Sequence, residues 1–258
     1  MGFVPTMGAL HEGHLSLIKK SKKSCDNTVV SIFVNPGQFA PNEDFENYPR
    51  KIDADISYLE SLGVHALFLP NENLIYPDNF STYVEENMLA KGLEGNSRPH
   101  FFKGVLTVVL KLFNIVSPQS VFFGKKDYQQ FRLVEKMVED LNLNISVVGC
   151  ETKRERAGLA MSSRNDAFTD REKKHLGVIY NSLNAAKKEI LSGQRDVLFI
   201  KDFIEKNLLE LEGIKIDYIE ITDVQALVSV EKIQGDVLIS LAVLFKGVRL
   251  IDNIEVLA

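Results

Sequence analysis

The chain has 258 residues, enough for one large or two modest domains, each with a core of its own. Hydrophobic residues make up 45% and charged residues 25%, the balance of an ordinary globular protein rather than a disordered or fibrous one. A net charge of −5 argues against a nucleic-acid binder, which needs a basic face for phosphates, and leaves room for a small anionic ligand on a local basic site.

The first apolar run, Gly2 to Thr6, reads as a short strand, and a helix is expected from about His14 to Ser24. Cys25 follows it, and Cys150 is its only counterpart in the chain. Two cysteines make neither a disulfide framework nor a CxxC metal pair, and both flank apolar runs. They are expected to be small buried hydrophobes in a reducing, cytoplasmic setting. Thr28 to Val34 is β-branched and nearly continuous, as a strand buried on both faces would be. A loop rich in Pro, Gly and Asn runs from Asn35 to Pro49. Ile52, Ile56, Leu59 and Leu62 are spaced as a helix that stops at Gly63, and Val64 to Leu69 follows as a strand.

Gly104 to Val116 is apolar on most faces of a helix and is expected in a core. Lys111 and Asn114 interrupt it, and it is too short to span a membrane. Nor does the N-terminus carry a basic segment followed by a long apolar run, as a secretion signal would. Ser120 to Phe123 reads as a strand; Phe131, Val134, Met137, Val138 and Leu141 form a helical stripe; Ile145 to Val148 is another strand. The βαβ alternation predicts a Rossmann-like parallel sheet with helices on both faces and ligands beyond the carboxyl ends of the strands.

The pattern changes after Asn165. Thr169 and Glu172 have capping-box spacing and open two charged amphipathic helices that reach about Leu211. Ile214–Ile221, Asp236–Leu244 and Val248–Val256 then read as strands. The fold class is therefore α/β, with residues 1–153 as the Rossmann-like domain and 154–258 as a smaller α+β domain, expected to act as a lid.

Four segments could carry chemistry. Pro5 to His14 reads PTMGALHEGH, a strand running through a small-residue loop into a helix. Such a helix start offers backbone N–H groups and a positive dipole end to an anion. His11 and His14, three apart, face the same way and can donate to a phosphoryl group whose charge grows in the transition state. A zinc pair or two surface histidines would look the same, but no suitable third ligand lies nearby. Asn35-Pro36-Gly37-Gln38 places two amides past a buried strand. Amides both donate and accept, which suits hydroxyl or carboxylate recognition, although an ordinary turn reads alike. Gly124-Lys125-Lys126-Asp127 follows a strand. There a lysine can meet a nucleotide phosphate and Asp127 can cap a helix or accept from a ribose hydroxyl, with Gln130 on the same face. Met161-Ser162-Ser163-Arg164 offers hydroxyls and a guanidinium to a triphosphate.

Taken in series, PTMGALHEGH, SIFVNPGQF, LEGNSRP with GVLTVVLKLFNIV, FGKKDYQQ, GLAMSSRN and the closing LISLAVLFKGVRLIDNI resemble the pantothenate synthetase (pantoate–β-alanine ligase) family over essentially the whole chain. The resemblance implies an HxGH nucleotidyltransferase fold related to class I aminoacyl-tRNA synthetases. It implies ATP-dependent condensation of pantoate with β-alanine through pantoyl-adenylate, releasing AMP and pyrophosphate. By position it assigns ATP to Met7, Gly8, Ala9, Leu10, His11, Glu12, Gly13 and His14, and to Gly124, Lys125, Lys126 and Asp127. Lys153 would meet the adenine, and Met161, Ser162, Ser163 and Arg164 the phosphates. His14, His11, Lys126, Ser162, Ser163 and Arg164 would be catalytic. Asn35, Gln38 and Gln130 would bind substrate: Gln38 would contact pantoate and β-alanine, with Asn35 beside it, and Gln130 would bind pantoate. Mg²⁺ would come with ATP, and a cytoplasmic homodimer is the expected assembly.

Three places depart from the family pattern. Arg98-Pro99-His100-Phe101-Phe102 stands where the family reads R-P-G-H-F. Lys125 stands where it often has Glu. A short helical segment that usually precedes the first strand is not in this sequence, which is therefore expected to be a truncated or short-start version. Two other readings stay open on the residues alone: another HxGH nucleotidyltransferase acting on a phosphorylated alcohol, and a non-catalytic nucleotide-binding protein. The neutral pair Gln38/Gln130 speaks against a phosphorylated acceptor.

Overall fold

A computed structural model describes residues 1–40 and 45–257. Residues 41–44 of the loop expected over 35–49, and residue 258, lie outside the described residues. The chain divides into two compact units, one of residues 1–125 and 129–152, the other of residues 126–128 and 153–258.

The first unit is built on a five-stranded parallel sheet. Its strands are β1 (Gly2–Thr6), β2 (Thr28–Ile32), β3 (Ala66–Phe68), β4 (Ser120–Gly124) and β5 (Ser146–Cys150), in the order β3-β2-β1-β4-β5. All four pairings are parallel, and the order reverses between β1 and β4. In a sheet of this kind that reversal opens a crevice at the carboxyl ends, where the loops after Thr6 and Gly124 begin. Between the strands lie α1 (Glu12–Ser24), α2 (Ile52–Ser61), the short α3 (Glu72–Ile75) and α4 (Leu93–Ser97), α5 (Phe101–Val116) and α6 (Tyr128–Asp140). Leu15, Leu17 and Ile18 of α1 pack with Val4, Val30, Ile32 and Phe122 of the sheet, the apolar stripe the periodicity requires.

Two strands are shorter than the sequence predicts. The strand expected to reach Val34 ends at Ile32, because after the Phe33 N–H bonds the Thr6 carbonyl the chain turns into the 3-10 turn Pro36–Gln38. The strand expected over 64–69 is Ala66–Phe68, at the sheet edge with one neighbour. The third and fourth helices, each a turn or so long, are too short to show a period and are not predicted by the pattern.

The second unit contains α7 (Asp170–Leu176), α8 (Val178–Leu191) and α9 (Val197–Leu209), followed by the antiparallel sheet β6 (Ile214–Asp223), β7 (Val237–Phe245) and β8 (Val248–Val256). The two helices predicted here are three. The first break falls at Gly177, where a Cβ would stand 2.2 Å from the Ala157 carbonyl oxygen, so the backbone passes too closely for any larger residue. Central β7 is buried along almost its whole length, and Ile239, Leu241 and Val243 join Leu183, Ile200 and Ile204 of the helices in one core. Among the described residues no helix is long and apolar enough to cross a membrane.

Candidate active site

The loop after β1 is held from below by a residue that no sequence motif singles out. Asp55 of α2 is buried, and its two carboxylate oxygens accept from the backbone N–H groups of Ala9 (2.8 Å) and Leu10 (2.7 Å). Gly8 and Ala9 both carry positive φ, +80° and +49°. For Ala9 that conformation is costly, and a charge-assisted pair of hydrogen bonds offsets the cost. The Gly8 N–H donates to the Thr6 hydroxyl at 3.2 Å.

The start of α1 is closed by its own histidines. His11 is the N-cap, and its Nδ1 accepts from the Gly13 N–H at 3.1 Å. His14 Nδ1 in turn accepts from the His11 N–H at 3.4 Å. Of the backbone N–H groups expected to meet an anion here, five, at Gly8, Ala9, Leu10, His11 and Gly13, bond within the protein instead. A ring nitrogen that accepts from an N–H carries no proton, so in each neutral imidazole the proton belongs on Nε2. The rings lie 4.1 Å apart between centroids. The donors that these two rings carry at the helix start are thus their Nε2–H groups.

After β2, Asn35 and Gln38 are both buried, and the Gln38 Nε2 lies 3.4 Å from Met7 Sδ, so this turn meets the β1 loop. Helix α5 abuts the turn: a Cβ on Gly104 would stand 1.8 Å from the Gly37 carbonyl oxygen, so only glycine permits the approach. The Arg98 guanidinium donates to the Gln38 carbonyl at 2.9 Å and stacks 3.8 Å from the Phe101 ring centroid. His100, displaced by one place from the family pattern, is exposed at the N-cap of α5 and makes no side-chain capping bond.

The Gly124–Asp127 segment is divided between the units. Lys125 stays with the first and pairs with Glu151 at 3.4 Å. Lys126, Asp127 and Tyr128 belong to the second, where Asn253 donates to the Lys126 carbonyl (2.7 Å) and the Tyr128 hydroxyl donates to Glu255 (2.9 Å). The Lys126 ammonium lies 3.4 Å from Asp127. Gln130 is half-buried on α6. Its neighbour Gln129 is buried and grips the Leu89 carbonyl (2.8 Å) and the Glu94 N–H (3.0 Å), a clamp that leaves no mark in the local sequence pattern.

In the second unit the exposed Lys153 accepts the Met161 N–H on its carbonyl at 2.9 Å. Ser162 caps the 3-10 turn Ser163–Ala167, its hydroxyl accepting from the Arg164 N–H at 3.3 Å. Buried Asn165 donates to the Ala160 carbonyl at 3.0 Å, while its Oδ1 is buried without a donor among the described residues. Among the described residues no three His, Cys, Asp or Glu side chains gather as a metal site.

The family model Pantoate-beta-alanine ligase matches residues 1–255. A pantothenate synthetase of Thermosipho africanus is 53% identical over 98% of this chain and 91% of its own length, and that of Thermotoga neapolitana is 49% identical over 98% and 90%. The crystal structure of pantothenate synthetase from Thermus thermophilus superposes with a TM-score of 0.95 at 40% identity, covering 100% of this chain and 93% of that one. The Francisella tularensis pantoate-beta-alanine ligase, complexed with beta-gamma ATP and beta-alanine, has a TM-score of 0.78 at 41% identity over 98% and 88%.

Proposed function

The chain belongs to the pantoate–β-alanine ligase family, and from that premise we propose how its residues divide the work. The enzyme is a pantothenate synthetase by activity: it condenses pantoate with β-alanine in an ATP-dependent reaction. In the two-step course proposed here, a pantoate carboxylate oxygen bonds the α-phosphorus of ATP as the bond to pyrophosphate breaks, giving pantoyl-adenylate. The neutral amine of β-alanine then bonds the acyl carbon and loses a proton, and the acyl C–O bond breaks to release AMP. No protein nucleophile takes part, so positioning and charge stabilisation carry the catalysis.

The observation that carries this reading is the pair of histidine caps after β1. With both Nδ1 atoms accepting, His14 and His11 hold Nε2–H donors for the phosphoryl oxygens as negative charge moves onto the leaving pyrophosphate. Met7–His14, Gly124–Asp127, Lys153 and Met161–Arg164 are taken to hold ATP, with Lys126, Ser162, Ser163 and Arg164 on its phosphates. Gln38 and Gln130 are taken to bind pantoate, with Asn35 beside Gln38. Mg²⁺ would enter with ATP and supply charge neutralisation to its phosphates, and no step is routed through it. The assembly is taken as a homodimer of the 29.0 kDa chain, which sedimentation would check.

Oxygen labelling tests the sequence of bonds. With pantoate labelled by ¹⁸O in its carboxylate, one labelled oxygen is expected in AMP, because the acyl C–O bond is the one broken in the second step. Loss of that oxygen to inorganic phosphate, to pyrophosphate or to water, with none in AMP, contradicts attack at the α-phosphorus.

A further inference from the structure

Asn35 has no hydrogen-bonding capacity to spare. Its Oδ1 accepts from the Gly37 N–H (3.2 Å) and the Tyr76 hydroxyl (2.8 Å). Its Nδ2 donates to the Gly104 carbonyl (3.1 Å) and to Gln38 Oε1 (3.1 Å). Two lone pairs and two hydrogens are all that a carboxamide owns, and the residue is 1% exposed. Two of the four partners permit one role only, since a backbone N–H must donate and a backbone carbonyl must accept. The Asn35 amide therefore cannot be turned round. It follows that the Tyr76 hydroxyl donates, and that Gln38 meets Asn35 with its oxygen.

The orientation of Gln38 is thereby dictated from outside it. Its NH₂ group points away from Asn35, where its partner among the described residues is Met7 Sδ, a weak acceptor, at 3.4 Å. Its backbone is engaged too, the N–H with the Asn35 carbonyl (3.3 Å) and the carbonyl with Arg98. Tyr76 is fitted to its part. Its ring packs against Phe33 and Phe80, and burial pushes its hydroxyl up to about 12, so it remains a protonated donor at any working pH.

We infer that Tyr76 and Asn35 are positioning residues that fix Gln38 as a hydrogen-bond donor, so that Gln38 reads an acceptor oxygen of pantoate, a hydroxyl or carboxylate oxygen, and not a donor such as the β-alanine ammonium. A glutamine held this way is no longer the two-sided amide its sequence position offers. The inference rests on the reading of Gln38 as a pantoate contact. It takes Asn35 off the substrate and puts it behind Gln38.

Initial-rate kinetics on the full chain, with pantoate, β-alanine and ATP varied in turn, separate the possibilities. Glutamate keeps the shape of Gln38 but only accepts. Gln38→Glu and Gln38→Ala are both expected to raise the pantoate KM ~10- to 100-fold, with the ATP KM within about twofold. Asn35→Asp sets an oxygen against the Gly104 carbonyl and Gln38 Oε1, turns the glutamine, and is expected to raise the pantoate KM as Gln38→Glu does. Tyr76→Phe removes one of two donors to Asn35 Oδ1 and is expected to raise it ~3- to 10-fold. If Asn35→Asp fails to fold, Gln38→Glu and Tyr76→Phe decide. A wild-type pantoate KM in Gln38→Glu alongside a damaged Gln38→Ala would overturn the donor assignment while leaving Gln38 in the site. A wild-type pantoate KM in Gln38→Ala would remove Gln38 from the site and the inference with it. Equal rises in pantoate and ATP KM in Tyr76→Phe would reduce Tyr76 to a packing residue.

Discussion

The two loops assigned to ATP, 7–14 and 161–164, are held differently. The first leans on a buried charge, with Asp55 taking the N–H groups of Ala9 and Leu10 and the histidines closing the helix start behind them. In the second, Ser162 accepts from the Arg164 N–H, Asn165 donates to the Ala160 carbonyl, and the Asn165 oxygen is buried with no donor among the described residues. The difference follows the backbone. Gly8 and Ala9 sit at positive φ and need a strong anchor, whereas the N-cap Ser162 is extended and its 3-10 turn asks for little. The first loop is thereby anchored in an unusual backbone conformation by a carboxylate, and the second takes an ordinary one.

The largest effect expected from that contrast is at His14. His14→Ala removes an Nε2–H donor whose bond strengthens in the transition state, and should lower the adenylation rate ~10²- to 10³-fold while ATP binding changes little. Single-turnover rates and equilibrium ATP titration separate the two terms. A normal rate with weakened binding alone would make the first loop a binding loop only.

Asp55→Asn comes next. An amide can accept at one edge only, and its NH₂ would face one of the two backbone donors. We expect a loss of about 1–3 kcal/mol in folding free energy and faster amide exchange at Ala9 and Leu10. Asn165→Ala breaks one donor bond and is expected to cost less, ~0.5–1.5 kcal/mol. Urea unfolding ranks the two. If Asn165→Ala proves the costlier, the charged anchor is not what distinguishes the loops.

Neither loop is assigned to pantoate, so a change at Gln130 should leave the work of both intact. Gln130→Ala is expected to raise the pantoate KM ~10-fold with ATP affinity unchanged. Loss of ATP affinity instead would assign Gln130 to the nucleotide. The smallest effect is expected in the second unit, outside its loop. The Lys246 ammonium beside Glu172, then the Thr169 backbone and hydroxyl, hold that carboxyl down to about 2 from an ordinary 4.5. A depressed carboxylate stabilises the fold above its unfolded pKa, and that contribution is lost as pH falls from about 4.5 through about 2. In Lys246→Ala the Glu172 carboxyl should titrate closer to 4.5 by NMR, with little change in the unfolding midpoint at neutral pH.

What the sequence disclosed, and what it hid, divides along the same physical line. Local signals were legible. The Thr169/Glu172 capping box, the helix over α1 and the nearly continuous apolar β2 are written in neighbouring residues. The motifs after β1, β2 and β4 were legible as well, because strand–loop–helix spacing put them at carboxyl ends. Asp55 and Tyr76 were not. In α2 Asp55 is one acid among several, and only a loop arriving from 45 residues earlier buries it. Tyr76 acts on Asn35 from 41 residues later in the chain. The need for glycine at Gly177 was hidden too, since the Ala157 carbonyl that leaves no room for a Cβ comes from 20 residues earlier in the chain. Groups that orient other groups leave no periodicity, and these positions all belong to that kind.

The central claim is that the first loop activates pantoate on ATP before β-alanine is needed. Exchange of labelled pyrophosphate into ATP measures that step directly. Exchange is expected with enzyme, ATP, Mg²⁺ and pantoate alone, and not when pantoate is left out. Exchange that requires β-alanine, or that runs equally without pantoate, would contradict the account.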